Sequence, residues 1–186
     1  ARAAPRRCGV VGWSLGGEVA LAWARRMPLQ VQRMALIATT PCFAGRPGWR
    51  CATAPAVLHE FGLAIAADRD GTLARFVAVQ ARGDARAQQV AGVLQPLYKN
   101  GPADEVLAAG LAVLSDTDLR RELTRVMQPA LVMHGARDCI VPPAAGRRLA
   151  QALPHARFML LRTCAHAPFV SQPERTAKAL REFFDE

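Results

Sequence analysis

Lysine is nearly missing from this chain. Of its 24 basic residues only Lys99 and Lys178 are lysine and the other 22 are arginine, so the net charge of +9 is scattered guanidinium with no lysine-rich block. The charge is also uneven. Residues 1–43 carry six Arg against one Glu, residues 44–117 carry seven groups of each sign, and residues 118–186 carry eleven basic against seven acidic groups. Tyr98 is the one tyrosine, and the ten Phe and Trp residues do not interleave with the arginines. A nucleic-acid partner needs a basic stripe with stacking aromatics, and this sequence offers neither. No apolar run approaches the roughly 20 residues of a membrane span, so a membrane partner of that kind is not expected either.

Paired cysteine motifs are lacking too. Cys8, Cys42, Cys51, Cys139 and Cys164 are odd in number and contain no C-x-x-C. A disulfide framework and a zinc site are therefore not expected, and the cysteines read as small buried thiols in a reducing compartment. The apolar stretch after the basic Ala1–Arg7 segment is too short for a signal peptide, which leaves the cytoplasm as the expected location. Nothing in the sequence signals a cofactor or a metal. What is present in quantity is apolar surface. With 51% hydrophobic and 21% charged residues in 186, the chain reads as one folded domain, or one domain with an inserted subdomain.

Residues 8–13 (C-G-V-V-G-W) form a short apolar run, followed by Ser14-Leu15-Gly16-Gly17 and a helical segment to Met27 that Pro28 ends. Residues 31–38 then read as a strand. Strand, tight turn, helix and strand make a βαβ unit, which implies a parallel sheet buried on both faces. From residue 56 to 116 the apolar spacing turns helical, with four short helices separated near Gly71, Gly83 and Asn100-Gly101-Pro102. Asp70, Asp84 and Pro102 stand where caps or first-turn residues belong. Asp116 and Asp118 read as caps at a helix end. After Leu119 the alternation returns: a strand over 130–133, His134-Gly135 in a turn, a helix to about Leu153, a strand over 158–161, a loop with His166, and a helix from Pro173 to Phe184. The expected organisation is an α/β core of residues 1–43 and 118–186, with residues 44–117 as a helical insertion.

Gly12-Trp13-Ser14-Leu15-Gly16 is a G-x-S-x-G placed between a strand and a helix. At such a turn a serine is held in a strained backbone with its hydroxyl exposed, glycines two residues to either side let strand and helix approach, and the helix N-terminus favours developing negative charge. The Leu15 N–H can donate to an oxyanion. A nucleophilic serine needs a base, and the base an orienting acid. Of His59, His134, His155 and His166, the last leaves the final strand in a loop at the C-terminal edge, where active sites of parallel sheets form. Asp138 leaves the preceding strand at the same edge. The chain order Ser14, Asp138, His166 is the α/β-hydrolase order.

Five stretches together resemble the pimeloyl-[acyl-carrier protein] methyl ester esterases of biotin synthesis: G-W-S-L-G-G, T-T-P-C-F, F-V-A-V-Q, H-G-A-R-D-C-I-V-P and C-A-H-A-P-F-V-S-Q-P. The resemblance runs over essentially the whole chain. It implies an α/β-hydrolase fold with a four-helix lid, and a serine carboxylesterase acting on the methyl ester of pimeloyl-[acyl-carrier protein]. Acyl-carrier protein would be its partner, and the enzyme would be a cytoplasmic monomer without a cofactor. Carried over residue by residue, Ser14 is the nucleophile, Asp138 the acid and His166 the base. Trp13 and Leu15 match positions flanking the nucleophile in the substrate site, and Phe76 matches a lid phenylalanine facing it. The family holds its acidic carrier with lid arginines. Arg69, Arg75, Arg82 and Arg86 lie in the matching stretch, with Arg75 the best match. Arg75, Arg82 and Arg86 would share one face of a continuous helix, which Gly83-Asp84 is expected to break.

The family also has an N-terminal part of about four strands with an H-G loop that supplies a second oxyanion donor. This chain starts just before the nucleophile strand, so that part is expected to be absent, at about 10²–10³ in rate for one lost donor. Two alternatives therefore stand beside the carrier-protein esterase: a generalist short-chain carboxylesterase, and a non-catalytic truncated fragment.

Overall fold

Four strands pair side by side in the order of the chain, all parallel. The computed structural model describes residues 4–99 and 101–186; residues 1–3, and Asn100 of the expected break near 100–102, lie outside them. Strand β1 (Cys8–Trp13) leads into helix α1 (Leu15–Arg26) and strand β2 (Val31–Ile37). Strand β3 (Ala130–Gly135) is followed by α6 (Pro143–Ala152), β4 (Ala156–Leu161), the four-residue α7 (Pro168–Ser171) and α8 (Pro173–Phe184). Between β2 and β3 stand α2 (Pro55–Ala67), α3 (Arg69–Ala81), α4 (Ala87–Lys99) and α5 (Asp104–Asp116), then a 3₁₀ turn at Leu123–Arg125.

Alternation along the strands builds two cores. Side chains two residues apart share a sheet face. Met34, Leu36 and Val132 therefore point to one side, where they bury Ala20, Leu21 and Ala24 of α1 and Leu149 of α6. Ile37, Leu131 and Met133 point to the other, against Leu161 and Phe183 of α8. Both faces of the inner strands are covered, as a parallel sheet requires. Among the described residues, no helix is long and apolar enough to cross a membrane.

Several local expectations need correction. Strand β3 runs two residues beyond its apolar run, so His134 is a fully buried strand residue, not part of a turn. It pairs in register with Leu160 and lies over Gly146 of α6, where a methyl group would come within 2.2 Å of its Nδ1. Asp70 does sit in the first turn of α3, behind the cap Asp68, whose Oδ1 accepts the Gly71 N–H at 2.9 Å, but Pro102 lies before the cap of α5, Ala103. The cysteines do not share one environment: Cys42 and Cys164 are buried, Cys8 and Cys51 are partly exposed, and Cys139 is exposed. The four-residue α7 was not expected at all; Pro168 opens it and Gln172 closes it.

The four helices of residues 55–116 rest on the C-terminal edge of the sheet. Two apolar strips hold them: Leu58 of α2 and Leu114 of α5 pack with Phe43, Val141 and Ala145, and α3 and α4 form the other. Val77 and Ala81 of α3 and Val90 and Leu94 of α4 pack on Ala167, with Trp13 and Phe169 alongside.

Candidate active site

The site is assembled at the strands' C-terminal ends. Ser14 follows β1 directly and caps α1 with φ 53° and ψ −122°, a left-handed conformation that costs a non-glycine residue of order 1–3 kcal/mol and persists only where its surroundings enforce it. Three hydrogen bonds do so. The Ser14 N–H donates to Ile37 O at 2.9 Å, Ser14 O accepts the Gly17 N–H at 2.9 Å, and it also accepts the Thr39 Oγ1 hydroxyl at 2.7 Å. The turn is tight because Gly12 is bare: a Cβ there would lie 2.4 Å from Gly16 O. The Leu15 N–H heads α1, among the amides that a helix leaves without an intrahelical acceptor.

Strand β3 delivers the acid and β4 the imidazole. Asp138 Oδ1 accepts the Ile140 and Val141 N–H groups at 2.9 and 3.0 Å. Its Oδ2 meets His166 Nδ1 at 2.8 Å, with both side chains almost wholly buried. His134 stands on the same carboxylate, Nε2 to Oδ2 at 3.3 Å, and donates from Nε2 to Val141 O at 2.9 Å. Burial pushes the Asp138 carboxyl up, but the hydrogen bonds and charges of His134 and His166 outweigh it and hold the group well below the usual carboxylate range. An ionised carboxylate only accepts, so Nδ1 of His166 carries the proton and Nε2 is left as the basic nitrogen.

Trp13 joins the two halves. Its indole N–H donates to His166 O at 2.8 Å, its ring lies 5.5 Å from the imidazole, and Phe169 packs against it at 5.1 Å. Among the described residues no hydrogen bond runs from the Ser14 hydroxyl to the His166 ring; such bonds are often long before substrate binds and tighten in the complex.

The remaining expected residues fall in two groups. Leu15 reaches α5, where its Cδ2 lies 3.5 Å from the position a Cβ on Gly110 would take. Phe76 stands in an aromatic row with Phe61 at 5.2 Å and Tyr98 at 5.8 Å. The four arginines do not share one helix, since α3 ends at Ala81 and α4 begins at Ala87. Arg69 is bound to Asp70, Asp104 and Pro102 O, tying α3 to α5. Arg75 is 65% exposed beside Asp68 at 3.5 Å and Thr72 Oγ1 at 2.8 Å. Arg82 and Arg86 lie beyond the end of α3, separated by Gly83 with φ 82°.

His134, Gln80 and Asp84 also contact this cluster and are not among the expected site residues. His134 could have been found from its spacing: four residues before Asp138, at the end of a strand. Gln80 accepts the His166 N–H at 3.2 Å through its backbone, which carries no side-chain signal. Among the described residues no group of three His, Cys, Asp or Glu side chains is placed to hold a metal.

Comparison with known proteins adds a family. Residues 5–173 match the model of the alpha/beta hydrolase fold. The chain is 44% identical over 182 residues to the pimeloyl-[acyl-carrier protein] methyl ester esterase of Aromatoleum aromaticum, covering 93% of this chain and 72% of that protein. It is 41% identical over 173 residues to the protein of the same name from Nitrosomonas europaea, covering 92% and 69%. Among solved structures it resembles the enol-lactonase of Burkholderia xenovorans, with a TM-score of 0.83, 25% identity and coverage of 97% and 66%. It also resembles an esterase of Exiguobacterium antarcticum, with a TM-score of 0.86, 20% identity and coverage of 95% and 66%.

Proposed function

Because the chain belongs to the α/β-hydrolase fold family and, within it, to the pimeloyl-[acyl-carrier protein] methyl ester esterases, we propose that Ser14, His166 and Asp138 form the relay of a serine carboxylesterase. Its substrate is the methyl ester of pimeloyl-[acyl-carrier protein], and it works as a cytoplasmic monomer. The observation that carries the reading is a strained serine at the same sheet edge as a buried imidazole–carboxylate pair 2.8 Å apart.

The steps follow from the protonation states. Nε2 of His166 takes the Ser14 hydroxyl proton as Oγ attacks the ester carbonyl, and the Leu15 N–H faces the oxyanion that forms. The imidazolium returns its proton to the methoxy group, which leaves as methanol. Water then attacks the acyl-enzyme, gives a proton to Nε2, and releases the free carboxylic acid as Ser14 regains its hydrogen. Asp138 stays ionised throughout, since its low pKa favours the imidazolium without letting it give up its proton to the carboxylate.

The four helices α2–α5 act as a lid over this edge. Phe76, Trp13 and Leu15 line the acyl pocket, and the exposed Arg75, Arg82 and Arg86 attract the acidic carrier. Arg69, held by its two carboxylates and a carbonyl, serves the lid itself rather than the carrier.

A fluorophosphonate probe tests the relay. It should label the wild-type chain at Ser14, not label Ser14→Ala, and label Asp138→Asn about 10³–10⁴-fold more slowly, because the amide leaves the imidazole in the wrong tautomer. A folded wild-type chain that takes no label would sink the reading.

A further inference from the structure

The stretch between α3 and α4 grips the loop that carries the imidazole. Asp84 is almost wholly buried and receives three donors. The Ala165 N–H, one residue before His166, reaches its Oδ2 at 2.7 Å. The buried Ser171 hydroxyl, at the end of α7, reaches its Oδ1 at 2.6 Å, and the Arg86 N–H reaches the same oxygen at 2.8 Å. Gln80 O takes the His166 N–H beside them. The acid loop holds the same stretch from the other side, where Arg137, next to Asp138, donates to Gly83 O at 2.8 Å.

Two features set this apart from an ordinary helix cap. A cap satisfies amides of its own helix, whereas two of the three donors here are 81 and 87 residues away in sequence. In addition, donors converge on both oxygens. An amide in its place would turn an NH₂ toward one of them.

We infer that Asp84 is a positioning residue for His166: it fixes the base loop from the helical insertion and thereby couples the place of those helices to the orientation of the imidazole. The inference rests on His166 being the base. A shift of α3 or α4 pulls on Ala165 directly, so the relay is complete only with the insertion seated. Misplacing a reacting group by about 1 Å can cost about 10²-fold in rate, and the Asp84 bonds are what prevent it.

The test uses two readouts on the full chain: the rate of fluorophosphonate labelling at Ser14, and the low-field proton resonance of His166 Nδ1–H against Asp138. Asp84→Asn keeps the size of the side chain and loses one acceptor. It should label about tenfold more slowly, with the resonance broadened or lost, while circular dichroism stays that of a folded protein. Ser171→Ala removes one of the three bonds and should slow labelling about threefold. A folded Asp84→Asn with wild-type labelling and a wild-type resonance overturns the inference, even if its melting temperature falls. Should Asp84→Asn fail to fold, Ser171→Ala decides by the same readouts. A wild type that shows the resonance but takes no label overturns the nucleophile and leaves Asp84 to be judged by the resonance. A wild type with neither overturns both.

Discussion

The sheet and the helices above it are held by different means. Every residue of β3 is buried, whereas α5 buries none of its thirteen and α2 only Ile65. Strand glycines are squeezed: a Cβ on Gly9, Gly12 or Gly135 would lie 2.6, 2.4 or 2.0 Å from a neighbouring atom, while one on Gly92 of α4 would meet nothing within 4 Å. Large apolar side chains stand exposed along the helices, among them Leu63 at 59% and Leu97 at 65%. Tight packing fixes atoms because interiors are dense and resist displacement. Sparse burial makes a region cheap to move. The proposed relay groups therefore sit on the rigid part, and the helices proposed to meet substrate are fastened through the strips around Leu94 and Val141 and the bonds of Asp84.

Truncating one leucine in each region breaks this comparison most directly. Leu36 is fully buried between β1 and β3, and Leu36→Ala should cost about 2–5 kcal/mol, the lost transfer energy plus the cavity left behind. Leu97→Ala should stay within about 0.5 kcal/mol of wild type, since nothing is uncovered. Urea unfolding followed by circular dichroism measures both. Equal losses would mean that the helices are packed as firmly as the sheet.

Glu18 is the core's own exception. It sits in the first turn of α1, is 2% exposed, and neither carboxylate oxygen has a hydrogen-bond partner. Burial raises its pKa from 4.5 to about 8. Between those values the folded state holds a proton that the unfolded state has lost. Stability from this group is thus complete below about pH 4.5 and is lost as pH rises toward 8, by at most about 1.4 kcal/mol per pH unit. Glu18→Gln cannot ionise. Its stability relative to wild type should climb across that window, read from urea midpoints at pH 5, 6, 7 and 8. Parallel curves would show that Glu18 is charged at no such cost. The insertion's buried carboxylate differs: Asp84 receives three donors, while Asp68, Asp70 and Asp104 are exposed beside arginines.

How much the sequence discloses also divides along this line. The βαβ rhythm, the serine turn and the loops of Asp138 and His166 are legible because each rests on local pattern: apolar runs, glycine spacing and chain order. The same reasoning misreads His134, because a histidine beside glycine looks like a turn and only β4 and α6 make it a strand residue. Asp84 is recognisable as a cap from its neighbours. Its second task depends on residues more than eighty positions away. The helices α2–α5 are visible by periodicity, but which face meets the core is set by the strip around Ala167 for α3 and α4 and by Phe43 and Val141 for α2 and α5, long-range contacts with no local signature.

The smallest expected effect concerns recognition. Arg75 lies on the loosely packed side, its guanidinium 65% exposed and 3.5 Å from an equally open Asp68, so that ion pair contributes little. An exposed charge of this kind raises the encounter rate with an acidic partner and does nothing for bond making. Arg75→Ala should therefore lower kcat/KM for the carrier-borne methyl ester by about two- to fivefold at low salt, with kcat unchanged. The difference should fade near 0.15 M salt, where charges are screened beyond about 8 Å. Hydrolysis of p-nitrophenyl acetate should not change at either salt. A loss shared by both substrates would move Arg75 from the recognition surface to the lid's internal structure. A salt-insensitive loss confined to the carrier substrate would mean direct contact in place of steering.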